Sequence, residues 1–141
     1  MKLKYIAIFL VAFFMMTAAS CATKPVVIPD ELTAAEMVQR AQEASDRNRY
    51  TVSLQYYEAI LERFPDDMEY VCTAEYEIAF IYYKQKKYDL SKTGMSNLLE
   101  RYNSPDEELL PQQYKVLANK ILTTITDMEN KSSPKAAAVT P

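Results

Sequence analysis

From residue 33 to 129, apolar side chains recur three and four positions apart, the spacing of one helix face. Five such stretches are separated by helix breakers. The first opens at Thr33-Ala-Ala-Glu36. There the Thr33 hydroxyl can accept from a first-turn amide while Glu36 reaches back, a capping box, with Leu32 and Met37 as a hydrophobic staple. Its apolar positions are Met37, Val38, Ala41 and Ala44, and it ends near Arg47-Asn48. The second runs from Thr51 to Phe64, where Pro65 stops it by disfavouring helix in the residue before it. The third, Asp67 to Gln85, is apolar nearly all round its core, from Val71 and Ala74 to Tyr82-Tyr83. A helix of that kind is buried between neighbours, so it is expected at the centre of the domain. The fourth, Asp89 to Tyr102, carries Leu90, Met95, Leu98 and Leu99 and breaks at Asn103-Ser104-Pro105. The fifth, Pro111 to Glu129, carries Tyr114, Leu117, Ala118, Ile121, Leu122, Ile125 and Met128. Proline suits its first position, where no amide bond is lost. Residues 106–110 (DEELL) are expected to form a separate turn. The pattern predicts an all-α fold.

The helices repeat. Tyr50 to Pro65 aligns with Tyr88 to Asn103 at a separation of 38 residues, matching Tyr50 with Tyr88, Ser53 with Ser91, and Leu61-Glu62-Arg63 with Leu99-Glu100-Arg101. In the helices before them Ala41 matches Ala79. A period of this length with one helix pair per unit is the signature of a solenoid, in which each pair leans on the next and a terminal helix caps the stack. Leu117, Ile121 and Ile125 are the residues expected to cover the second unit.

The pattern resembles the tetratricopeptide repeat over residues 33–125. Ala79, Tyr82, Tyr83 to Tyr88 and Ser91 fall where that family has its small residue, aromatics, turn, second-helix tyrosine and small packing residue. Ala41, Ala44, Tyr50, Ser53, Tyr57, Ile60 and Pro65 are the first-unit counterparts. Departures are Lys86 at the usual turn glycine, serine for alanine at 53 and 91, and Asn103 in place of the helix-ending proline. The resemblance implies a short tetratricopeptide-like solenoid of two helix pairs plus a capping helix.

The N-terminus alters the setting of that domain. Lys2 and Lys4 precede an unbroken apolar run, Ile6 to Met16, and the small residues 17–20, the layout of an export signal. Ala18-Ala19-Ser20-Cys21 resembles a bacterial lipobox, with alanine where leucine is more usual. That resemblance implies lipidation of Cys21 after removal of residues 1–20, and Ala22 after it points to the outer membrane. Residues 21–31, with Pro25 and Pro29, read as a tether; 32–130 as the repeat domain; 131–141 as a disordered tail. A lipoprotein with repeats of the form YYEAILERFPDD also resembles the BamD family of the β-barrel assembly machinery, which normally has about five repeats. It implies an envelope adaptor in outer-membrane protein assembly, facing the periplasm. The alternative is a ligand-binding repeat lipoprotein accessory to a transporter, with a closed apolar cavity between helices.

Composition narrows the chemistry. Among 141 residues there is no histidine and one glycine, Gly94. The commonest acid–base group is absent, and a glycine-rich phosphate loop is excluded. The chain has 16 basic and 19 acidic residues; with Lys2 and Lys4 in the export segment, no basic face is left for nucleic acid. Asp66, Asp67 and Glu69 lack the further oxygens and the glycine of a calcium loop. No nucleophile–base pair can be named, so a binding protein is expected, without catalytic residue, metal or cofactor. Cys72 reads as a small buried thiol. Tyr56, Tyr57, Tyr82 and Tyr83 are the candidate partner-binding residues. Within each pair the side chains point in different directions, so one is expected in the core and one on the concave face. Lys84, Lys86 and Lys87 are expected at a solvated turn.

Overall fold

The computed structural model describes residues 26–132. They form α1 (Ala34–Asp46), α2 (Tyr50–Arg63), α3 (Met68–Lys84), α4 (Tyr88–Arg101), a turn of 3-10 helix (Glu107–Leu109) and α5 (Gln112–Ser132), with no strand among the described residues. Helices adjacent in sequence pack as pairs, α1 on α2 and α3 on α4, and the pairs stack through α2 and α3. The fold is an all-α, repeat-like solenoid, as the periodicity predicts. The export segment, Cys21 and residues 133–141 lie outside the described residues.

Local chemistry sets the elements. The Glu36 amide donates to the Thr33 hydroxyl at 3.3 Å, and the Thr33 amide donates to the Glu36 carboxylate at 2.9 Å, which completes the capping box. That bond, first of all, holds the Glu36 carboxyl below its ordinary range. Leu32 and Met37 are both buried on the same cluster, as a staple requires. The two units end their first helices in the same way. The Asn48 and Arg49 amides donate to the Ser45 and Ala44 carbonyls, and the Lys86 and Lys87 amides to those of Tyr83 and Tyr82. This is the Schellman arrangement, and its left-handed residue is Asn48 (φ 57°) in one unit and Lys86 (φ 61°) in the other. Lysine there carries a steric cost of about 1 kcal/mol that glycine would avoid.

Helix α3 touches all four other helices. It divides its faces between two apolar clusters. Ala74 and Ile81 join Met37, Ala41, Tyr57 and Ile60 in the first; Cys72, Tyr76 and Ala79 join Met95, Leu98, Tyr102 and Ala118 in the second. At the α3–α4 crossing the helices approach so closely that a Cβ on Gly94 would lie 2.8 Å from the Ala79 Cβ. The lone glycine is there for packing.

Two expectations need correction. Leu117 is 37% exposed; the fully buried residues of α5 are Ala118 and Ile125. The inward stripe runs through Tyr114, Ala118, Ile121, Leu122 and Ile125, which leaves Leu117 at its flank. Residues 26–31, read as part of a tether, lie against the domain. The Val26 amide donates to the Gln55 side chain at 2.6 Å, and the Arg63 guanidinium donates to the carbonyls of Pro29 (2.8 Å) and Ile28 (3.0 Å). An extended strap shows no helical period, so nothing in its pattern announced this contact.

Candidate functional site

The first helices of the stack are neighbours: α1 touches α3, and α3 touches α5. Between α2 and α4 there is at most a marginal contact. Elements on the inside of a bend approach more closely, so α1, α3 and α5 form the concave side. Residues 73, 77, 80 and 84 of α3 follow the i, i+4, i+7 spacing of one helix face and line that side.

Each end of the groove floor is fixed. At one end the Thr73 hydroxyl donates to the Glu69 carbonyl and lies 2.7 Å from the Tyr114 hydroxyl. A threonine has one hydroxyl proton, so Tyr114 is the donor of the second bond and ties α5 to α3. Tyr114 also packs on Tyr76, ring centroids 5.4 Å apart, and Tyr76 stacks on Phe80 at 5.7 Å. Tyr83 and Tyr88 extend this run of rings at 5.8 and 6.0 Å. At the other end the Lys84 ammonium donates to the Ser45 hydroxyl of α1 and lies 5.2 Å from the Tyr50 ring centroid and 5.4 Å from that of Phe80. Cation–π attraction and that bond together hold Lys84 across the α1–α3 seam.

Between the two ends sits Glu77. It is half-buried, and no hydrogen bond stabilises its carboxylate among the described residues. Burial first of all raises its pKa; Lys84 opposes the shift and Asp46 adds to it. Tyr57 of α2 is fully buried, and its hydroxyl has no hydrogen-bond partner among the described residues. The groups whose charge acts on that phenol are Glu77, Tyr114 and Asp46, all on the first helices. Burial, then the Glu77 charge, push the Tyr57 phenol well above its ordinary value and that of Tyr76 up to about 12.

The four candidate tyrosines therefore separate. Tyr56 and Tyr57 are both core residues, 8% and 0% exposed, because α2 is packed between α1 and α3 and buries a wide arc. Tyr82 and Tyr83 are half-exposed; Tyr83 joins the aromatic run, and Tyr82 lies under the Lys87 ammonium at 5.8 Å. Glu77, Phe80 and Tyr114 were missed as site residues. The signal that could have found them is the shared face of Thr73, Glu77, Phe80 and Lys84, a polar interruption inside an otherwise apolar helix. Cys72 is buried, and burial raises its pKa, which keeps it a packing thiol.

The remaining surface offers less chemistry. Clefts of about 330 Å³ beside Tyr102 and Lys115, about 290 Å³ beside Met68 and Arg101, and about 330 Å³ beside Asn48 and Thr51 are open to solvent. Glu107 is held by Lys115 at 2.6 Å. Among the described residues no cluster of three cysteines or carboxylates could hold a metal ion, and no helix is long and apolar enough to cross a membrane.

No family model matches the sequence, and no solved structure matches it. The chain is similar to an uncharacterized protein of Treponema pallidum (strain Nichols), 30% identical over 105 residues. Those residues are 74% of this chain and 42% of the relative, so the chain spans less than half of that protein's length.

Proposed function

We propose that this protein is a membrane-anchored adaptor of the bacterial envelope, holding a partner protein in the groove of α1, α3 and α5. In this reading Cys21 is lipidated, the anchor lies in the outer membrane, and the domain faces the periplasm. Its task belongs to outer-membrane protein assembly, by resemblance to the tetratricopeptide lipoproteins of the β-barrel assembly machinery. The observation that carries the reading is the run of part-exposed rings, Phe80, Tyr83 and Tyr114, beside a carboxylate without a partner. Tyrosine and phenylalanine bury large areas at interfaces, and tyrosine keeps a polar tip for a bond across the contact. The anchor adds no contact but raises the partner's effective concentration at the bilayer. Acyl chains on one cysteine and its amine give the two or more signals that stable attachment needs.

The test has two arms. Cells fed an alkyne palmitate should label the full chain and leave a Cys21→Ser chain unlabelled; label on both, or on neither, contradicts the lipid anchor. Affinity purification of the tagged chain from solubilised membranes should recover barrel-assembly components, and should recover less with Phe80→Ala. Recovery of none of them contradicts the assembly role. Recovery of an unrelated envelope protein that is lost with Phe80→Ala would keep the adaptor reading and replace the assembly role.

A further inference from the structure

Resting on the reading of Cys21 as a lipid anchor, we infer that the domain stands on the bilayer through one end, where the α1–α2 and α3–α4 turns present a basic surface to anionic phospholipid headgroups. Helices joined by short turns run antiparallel, so α1 and α3 end where α2 and α4 begin. Side chains show that the two turns lie side by side. The Lys84 ammonium, at the end of α3, donates to Ser45 near the end of α1 and lies 5.2 Å from the ring centroid of Tyr50, the first residue of α2. Arg47, Arg49, Lys86 and Lys87 are exposed there. Among the described residues only Arg47 of these four forms an ion pair, to Glu43 at 4.0 Å. Asp46 and Asp89 flank the turns, and Asp89 is drawn to Lys92 at 3.5 Å. Lys86 stands at φ 61°, so the second turn carries a cation where the backbone favours glycine.

The opposite end has the opposite charge. Asp66, Asp67, Glu69, Asp106 and Glu108 are exposed on it, and one cleft lined by Met68, Arg101 and Asp106 brings their segments together. Its cations are matched: Arg63 lies 3.4 Å from Asp30, Arg101 2.7 Å from Glu75 and Lys115 2.6 Å from Glu107. Charge is thus sorted along the helix axes. The strap fixes which end meets the membrane. Arg63 holds the Ile28 and Pro29 carbonyls, while the Val26 amide donates to Gln55, closer to the start of α2. Followed back toward Cys21, the chain therefore runs along α2 toward the basic turns. Arg49 lies about 9 Å further along that axis by helix rise. The stretch from Val26 back to Cys21 spans at most about 18 Å when extended. An anchor at that distance brings the turns to the headgroups. Tyr50, Tyr83 and Tyr88 are half-buried around them, and tyrosine suits the headgroup level. The acidic end points away from a surface of like charge. The helices then stand on the bilayer, and the groove opens along it.

The experiment inserts the full chain, purified with its anchor, into vesicles of phosphatidylcholine alone or mixed with phosphatidylglycerol, and follows amide exchange. On the anionic vesicles residues 47–50 and 85–88 should exchange about fivefold more slowly than on the neutral ones, the weight of one basic residue at such a surface. Residues 66–69 and 106–108 should exchange alike on both. The difference should vanish at about 1 M salt, where charges are screened within about 3 Å. It should vanish too in a chain carrying Arg49→Gln, Lys86→Asn and Lys87→Gln, whose asparagine accepts the left-handed backbone. An unchanged Tm establishes that this variant folds, and the salt arm needs no variant. Equal exchange of the turns on both vesicles, slowing at the acidic end instead, or a difference that survives either treatment overturns the inference and leaves the anchor standing. A chain that stays with neither vesicle contradicts the anchor and the docking together. One that stays only with anionic vesicles, its turns protected, upholds the docking and contradicts the anchor.

Discussion

The two helix pairs share a scaffold and differ in what they present on the groove side. Ala41 and Ala79, Ser53 and Ser91, and Ile60 and Leu98 are each fully buried and stand 38 residues apart. The second helices, Tyr50–Arg63 and Tyr88–Arg101, correspond residue for residue. Arg63 and Arg101 correspond too and do parallel work: one clamps the strap before α1, the other pairs with Glu75 of α3 at 2.7 and 2.8 Å. Groove-side positions diverge. Gln39 and Gln42 of α1 are exposed and polar, while their counterparts Glu77 and Phe80 are half-buried in an aromatic setting. Several positions that hold the stack together are thus repeated, whereas these groove-side positions are not. The half-buried carboxylate and the aromatic run belong to the second unit's first helix, which is also the core of the domain.

The largest expected effect tests whether the units share one core. Ile60→Ala and Leu98→Ala should each cost about 3 kcal/mol in chemical denaturation, as truncation of fully buried side chains does. Because α3 belongs to both clusters, each variant should still unfold in one transition; two separated transitions would break the comparison. Gly94→Ala probes the crossing where the units differ most, since Tyr56 occupies the matching position. Alanine is the better helix former by about 1 kcal/mol, yet its Cβ meets Ala79 at 2.8 Å. Overpacking of about 2 kcal/mol should win, leaving a loss of about 1 kcal/mol and a lower Tm. Stabilisation instead would mean that the α3–α4 crossing is looser than described.

The matched serines should respond alike. Both hydroxyls are buried without a partner, so Ser53→Ala and Ser91→Ala should each raise stability by about 1 kcal/mol. Unequal responses would show that one unit hydrates its hydroxyl. The smallest effect concerns Glu77. Its carboxyl titrates higher in the folded chain than in the unfolded one, so the ionised group costs stability at neutral pH and the cost is relieved as pH falls. Glu77→Gln should gain on the order of 0.5 kcal/mol at pH 7. Relative to the parent, that gain should shrink toward about pH 4, near the ordinary carboxylate range. A gain independent of pH would remove the electrostatic account of this residue.

The helices and their order were legible because periodicity, prolines and the Thr33–Glu36 cap all act over short distances. The repeat was legible because packing reuses small residues at fixed offsets. The groove was harder to read. Adjacent residues such as Tyr56 and Tyr57 can both be buried when a helix is packed on two sides, so splitting each tyrosine pair between core and surface fails for this one. Glu77 gave no signal apart from its place on α3, because its lack of a partner depends on Lys84 being drawn across to Ser45 of α1. Such coincidences are tertiary and leave no spacing in the chain.

Hydrogen exchange of the full chain carrying Ala118→Asp tests most directly whether the helix pairs depend on a cap. Ala118 is fully buried in the cluster that joins α3, α4 and α5. If the stack holds as described, a buried charge there should detach α5 and strip protection from the amides of α4 and of the α3 face beneath it. Protection in α4 equal to that of the parent chain would contradict the account.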